Sequence, residues 1–335
     1  MEKTIRDALN ERVISESGLF FGIARENIKT LGGFENFVFE YEDNNELFIL
    51  RLVHSSHRKS TFVEAELEFI NHLSKSGARV SNIVRSVNGN LIEKVYDDID
   101  GYFSVCVFEK APEDFVKKEK IDEKFNFNFG IEVAKLHKIT KNFTPNKKRY
   151  HWYEEDWIEI GVRNLKDEEQ FIVDIAKNHV KKLMEYKTDI DSYGLIHTDL
   201  HFGNMYYDNG LLTFFDWDDS AYKHFISDIA IIIFYQFGLN GDDENTKENK
   251  VKVFLNDFMK GYNTINKLDY EWFLRLNDFL KLREIILYMV LHGAGDAVLN
   301  SPFGKRFVSI YKDRIINNTP FINLDNVLEK DKWNI

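Results

Sequence analysis

Apolar and polar positions change their period along the chain. Over residues 36–53, Phe- and Val-rich runs surround a polar turn at 42–45, a pattern that predicts a strand, a turn and an antiparallel strand. Residues 60–76 then place apolar side chains at helical spacing and stop at Gly77, which predicts a helix. Asn88-Gly89 predicts a second hairpin turn, and the apolar run 102–108 a strand. Beyond Pro112 the helical period takes over, with predicted helices at 125–140, 166–186, 226–237, 250–262 and 270–292. One stretch departs from it. Within 194–215, the short apolar pieces 195–196, 205–207 and 211–215 flank polar loops, with Asn209-Gly210 as a turn. The expected architecture is α+β in two lobes: a small antiparallel-sheet lobe at 1–108, a connection at 109–112 and a larger, mainly helical lobe at 113–335. A chain of 335 residues suits this division, because single cores stop growing at about 250–300 residues.

Composition narrows the class. With 29 Phe and 15% aromatic residues, the chain is not an extended disordered one. A formal charge of -11 argues against phosphate-rich partners, so neither nucleic acid nor membrane is expected to bind. The single cysteine, Cys106, lies in the apolar run 102–108, which leaves no intramolecular disulfide and no Cys-based metal site. The N-terminus lacks an apolar signal core, and the longest apolar run, 229–234, falls far short of the ~20 residues that span a bilayer. A soluble, cytoplasmic protein is expected.

The polar side chains of 197–219 carry the chemistry. His197, Asp199, His201, Asn204, Asp216, Asp218 and Asp219 stand beside strongly apolar residues, where a carboxylate needs a hydrogen bond, a cation or a metal. Asp199 and Asn204 have the spacing of the protein-kinase catalytic loop, and Asp216 follows a strand-like run as the metal-binding carboxylate of kinases does. The pattern His197-x-Asp199-x4-Asn204, then Phe215-Asp216, then Asp228-Ile-Ala230, resembles the aminoglycoside phosphotransferase and choline kinase superfamily, a protein-kinase-like fold. That resemblance implies ATP (or GTP) and Mg2+ as cofactors and a hydroxyl of a small molecule as phosphoryl acceptor. It implies Asp199 as catalytic base, Asn204 and Asp216 as metal ligands, and His197 and Asp228 as supports of the loop.

The first lobe supplies a second pair. Arg51 is a cation inside the apolar strand 47–53 and needs an anion there. Glu66 shares a helix face with Ile70 and Leu73, whereas Glu64 and Glu68 fall on the polar face. In kinases the strand residue is Lys, paired to a helix Glu and to phosphate; Arg51 with Glu66 resembles that arrangement with one substitution. Gly32 and Gly33 precede the hairpin as a nucleotide-positioning loop would, or form only a turn. Glu109 and Ala111 resemble the hinge whose backbone would bind adenine. In 150–157, Trp152, Glu155 and Trp157 either hold a cationic acceptor or begin a helix packed on the core. Asp218 either touches metal or substrate or is a solvated loop carboxylate.

Three functions fit these residues: a small-molecule kinase acting on an aminoglycoside-like compound, an amino alcohol or a related metabolite; a bacterial Ser/Thr protein kinase; and a metal hydrolase using His197, Asp199 and His201. The hydrolase leaves Arg51, Glu66 and Asn204 without a task.

Overall fold

A computed structural model describes residues 8–33, 36–111, 114–208 and 210–333. Phe34 and Glu35 of the glycine loop, Pro112 of the connection and Asn209 of the Asn-Gly turn lie outside the described residues, as do Met1 to Asp7.

In chain order the elements are α1 (Glu11–Leu19), β1 (Lys29–Gly32), β2 (Phe37–Asp43), β3 (Glu46–His54), α2 (Ser60–Lys75), β4 (Ile83–Val84), β5 (Glu93–Tyr96), β6 (Tyr102–Glu109), β7 (Asp114–Phe115), α3 (Glu123–Thr140), α4 (Trp157–Asn164), α5 (Phe171–Met184), β8 (Tyr193–Ile196), β9 (Met205–Asp208), β10 (Leu211–Phe214), β11 (Ala221–His224), α6 (Ile226–Phe237), α7 (Glu244–Tyr262), α8 (Tyr270–Phe273), α9 (Leu276–Gly293), α10 (Asp296–Leu299), α11 (Pro302–Ile316) and α12 (Leu324–Val327). They form two compact units that are not simple segments. One comprises 1–116, 142–149 and 205–218, the other 117–141, 150–204 and 219–335. Among the described residues no helix is long and apolar enough to cross a membrane.

The first unit is built on an antiparallel sheet in the order β1-β2-β3-β6-β4, with β5 also paired to β6. The β2–β3 hairpin turns at Asn44 and Asn45, both at positive φ, and such turns match the twist of the flanking strands. Alternation along β3 sends Leu50 and Leu52 into a core with Phe39, Phe103 and Val105, and turns Arg51 to the opposite face, beside its cross-strand neighbour Cys106. Asn88-Gly89 does turn the chain, with Gly89 at φ +83°, but the hairpin expected there is absent: β4 and β5 each pair with β6 and not with one another. A second sheet, β10-β9-β7, belongs to the same unit, and Trp217 beyond it packs edge-on to Phe69 of α2.

The second unit is helical apart from the β8–β11 ladder. Helix α6 matches its predicted span, while α7 begins at Glu244, six residues before the predicted 250, because Asp243 caps it through Thr246 N at 2.9 Å. The predicted 166–186 opens with a tight turn before α5, and 270–292 divides into α8 and α9. Helices α3 and α7 approach backbone to backbone: a Cβ on Gly130 would overlap the carbonyl of Phe258, and one on Gly261 the carbonyl of Phe127.

Candidate active site

Strand β8 ends at Ile196 and delivers the loop 197–204. Thr198 sits at φ +65°, a conformation a β-branched residue rarely takes, and bonds on both sides hold it there. Its N–H donates to Asp228 Oδ1 at 2.9 Å, and its Oγ1 to the Asp219 carbonyl at 2.6 Å. Asp228, buried in the first turn of α6, also accepts from His197 N at 3.4 Å. Behind it stand His137 of α3, with Nε2 at 3.2 Å from Asp228 Oδ2, and Tyr262 of α7, whose hydroxyl lies 2.9 Å from His137 Nδ1. Loop, α6, α3 and α7 are thus joined by one chain of hydrogen bonds.

On this support Asp199 keeps one-fifth of its side chain exposed. Asn204 donates Nδ2 to the backbone carbonyl and to Oδ2 of Asp199, both at 3.1 Å, which leaves the amide Oδ1 of Asn204 outside these bonds. His201 accepts from Gly203 N at Nδ1 and turns Nε2 to Asp199 Oδ2 at 3.2 Å. Oδ1 of Asp199 takes a partner the sequence did not name: Arg283 of α9, at 2.5 Å. Burial opposes the charge on Asp199, but Arg283, with His201 and His197, outweighs it and holds the carboxyl well below the usual range. Lys223 of β11 is a second unforeseen cation here. Burial brings it down to about 8, with Arg283 acting in the same direction and Glu155, Asp228 and Asp219 against.

In the first unit Arg51 donates to Glu66 Oε2 at 2.7 Å, with both side chains buried, and its guanidinium lies over Phe108. Asp216, at φ +61° and half exposed, has Oδ1 4.0 Å from Arg51 NH1. Burial works against the Arg51 cation and Glu66 offsets it. Gly32 and Gly33 both adopt positive φ, and a side chain on Gly33 would overlap the Asn36 carbonyl, so this loop conformation requires glycine. Glu109 ends β6, with its side chain accepting from Asn82 at 2.8 Å; Ala111 follows outside the strand.

The other candidate residues fall elsewhere. Asp218 is not a solvated carboxylate: it is buried, with His57 at 3.2 Å, Arg58 at 2.9 Å and Asn36 at 3.2 Å; burial opposes its charge, but the Arg58 guanidinium and the His57 hydrogen bond outweigh it and hold the carboxyl well below the usual range. Trp152 and Trp157, each 3% exposed, are core residues and offer no open ring face, while Glu155 is half-buried.

A model of the phosphotransferase enzyme family known as APH matches residues 28–259. The chain belongs to that family. It is 31% identical over 322 residues to the amicoumacin kinase of Bacillus subtilis (strain 168), a match that covers 94% of each chain. Among solved structures, an amicoumacin kinase in complex with AMP-PNP, Ca2+ and Ami superposes with a TM-score of 0.90 at 28% identity, covering 98% of this chain and 100% of that one. A microcompartment-associated aminopropanol kinase gives 0.72 at 18% identity, covering 94% and 100%. A spectinomycin phosphotransferase gives 0.60 at 16%, covering 96% and 98%. The chain is a kinase with a protein-kinase-like α+β fold, as its residue pattern implied. The metal-hydrolase alternative does not survive. The family is one of phosphotransferases, and among the described residues no group of three His, Cys, Asp or Glu side chains converges as a metal cluster.

Proposed function

We propose that this kinase transfers the γ-phosphoryl group of ATP to a hydroxyl of a small molecule of the amicoumacin class, with Asp199 as the base. The observation that carries the reading is the setting of Asp199, a partly exposed carboxylate whose loop is fixed through Asp228 and whose oxygens meet Asn204, His201 and Arg283. Similarity to an amicoumacin kinase over nearly the whole of both chains supports the acceptor class over the protein side chain of a Ser/Thr kinase. In the step, the acceptor oxygen bonds to the γ-phosphorus, the bond from that phosphorus to the β–γ bridging oxygen breaks, and its electron pair leaves on ADP. The hydroxyl proton passes to Asp199. A carboxylate held this far below its usual range takes the proton only late, as the new bond forms, so Asp199 chiefly orients the hydroxyl.

The donor set suits Mg2+. The amide Oδ1 of Asn204 and the half-exposed carboxylate of Asp216 are hard oxygen ligands, and these two residues would hold the ion. When bound, the ion neutralises charge on the phosphate oxygens. Arg51, braced by Glu66, would meet the triphosphate, and the Gly32-Gly33 loop and the Glu109–Ala111 backbone would position the nucleotide.

The test is transfer from ATP with Mg2+ to amicoumacin, followed by a screen of amino alcohols and aminoglycosides. Asp199→Asn is expected to abolish transfer while nucleotide affinity, read by calorimetry, stays near the parent value. Substantial transfer by that variant would reject Asp199 as base.

A further inference from the structure

Arg283 lies in α9 among the buried residues Phe279, Leu280, Leu282 and Ile285, and its side chain is only 13% exposed. A cation placed there is costly unless anions or dipoles receive it. One terminal nitrogen meets two acceptors, Asp199 Oδ1 at 2.5 Å and the hydroxyl of Tyr235, and the guanidinium stacks over the Tyr235 ring at 5.0 Å from its centroid. Tyr235 stands on α6, the helix whose first turn carries Asp228. It also packs against His201, ring centroids 4.7 Å apart. Donors from α9 and from two points of the loop therefore converge on one carboxylate: Arg283 on Oδ1, Asn204 and His201 on Oδ2. An ionised carboxylate offers about four acceptor sites, so three donors fix its plane and leave roughly one direction for an incoming hydroxyl.

We propose that Arg283, braced by Tyr235, is a positioning residue for phosphoryl transfer: it sets the carboxylate of Asp199 so that the remaining acceptor direction faces the substrate hydroxyl. This rests on Asp199 being the base. Lysine would not replace it fully, because a planar guanidinium can bond Asp199 and stack on Tyr235 at once, whereas an ammonium is a strongly hydrated point charge. A purely structural role, tying α9 to the loop, would lower stability without singling out the chemical step.

The experiment compares Arg283→Met, Arg283→Lys, Tyr235→Phe, Asp199→Asn and the Asp199→Asn/Arg283→Met double variant. Transfer from radiolabelled ATP with Mg2+ is followed at single turnover and steady state, to amicoumacin, or to water where the parent leaves amicoumacin unmodified. Arg283→Met is expected to lose roughly 100-fold in kcat, with KM for ATP within about threefold of the parent. Arg283→Lys should recover part of that loss, and Tyr235→Phe should lose less than about tenfold. In the slow residual transfer that radiolabel at single turnover detects with Asp199→Asn, adding Arg283→Met should cost nothing further, because both act through one group. A kcat for Arg283→Met near the parent value while Asp199→Asn is dead overturns the proposal and leaves the base assignment standing; so do losses that multiply in the double variant. An active Asp199→Asn removes the base assignment and the proposal with it. Should Arg283→Met fail to fold, Arg283→Lys takes its place in the same cycle, with the same two outcomes.

Discussion

Thr198 and Asp216 each hold a left-handed backbone conformation that side chains with a Cβ seldom adopt, at a cost of about 1–3 kcal/mol apiece. For Thr198 the surroundings compensate: its N–H and hydroxyl are both bonded, and the acceptor Asp228 is itself fixed by His137. Asp228→Ala should therefore depress kcat well before it unfolds the protein, a difference visible when activity and thermal unfolding are measured on one preparation. A second residue-scale expectation concerns His224. It is buried among Tyr193, Trp272 and Phe279, with Nε2 3.2 Å from the Lys187 carbonyl, and burial lowers its pKa from 6.5 to about 4. The unfolded chain takes up a proton below pH 6.5 that the folded chain refuses until about pH 4. Stability is thus unaffected by this group above 6.5, falls through that window by on the order of 3 kcal/mol, and stays level below it. His224→Phe should flatten the fall in a denaturant series across these pH values; an unchanged slope would place the dependence elsewhere. The same physical rule, that a cation in an apolar setting needs an anion, made Arg51 legible in the sequence and applies equally to Arg283. The partner of Arg51 lies 15 residues away on the next helix face, where periodicity can find it. That of Arg283 lies 84 residues away, and no local pattern points to it.

At the scale of elements, the β2–β3 hairpin and α6 were readable because their signals are local: paired apolar runs around two Asn residues, and an apolar run bounded at Phe237. The hairpin expected at Asn88-Gly89 failed because a turn signal does not say which strands pair; β6 accepts both flanking strands along its length. The start of α7 was missed because 244–250 is polar and only a capping aspartate marks it. Strand β3 and helix α2 are joined by the buried Arg51–Glu66 pair, which makes a divided prediction. Glu66→Ala leaves a buried cation unmatched and should cost about 3–5 kcal/mol, whereas Arg51→Met/Glu66→Leu should restore most of the stability. Neither variant is expected to use ATP at the parental Michaelis constant. Recovery of nucleotide use by the double variant would make the pair purely structural.

For the molecule as a whole, composition changes character once, near Pro112, and gives no sign that 142–149 and 205–218 return to the first unit. They supply essential contacts there. Trp217 packs on Phe69, Asp218 receives His57 and Arg58, and Arg149 bonds the carbonyls of Phe62 and Asp218 at 3.0 and 2.5 Å. A fragment of residues 1–116 loses all of these. It is expected to lack a cooperative unfolding transition by circular dichroism; a sharp transition in the isolated fragment would refute this. The family resemblance, by contrast, was carried by a few residues within 197–230, and the likeness to an amicoumacin kinase extends over nearly the entire length.

The crossing of α3 and α7 at Gly130 and Gly261 joins these scales. Gly261 adjoins Tyr262, and Gly130 lies two turns before His137, so the helices meet where they carry the outer links of the chain that ends at the N–H of Thr198. One methyl group at either glycine acts as a wedge far from any reacting atom. Through Tyr262, His137 and Asp228 that wedge would shift the loop that carries Asp199, so two positions with no side chain to remove bear on the aim of a distant carboxylate.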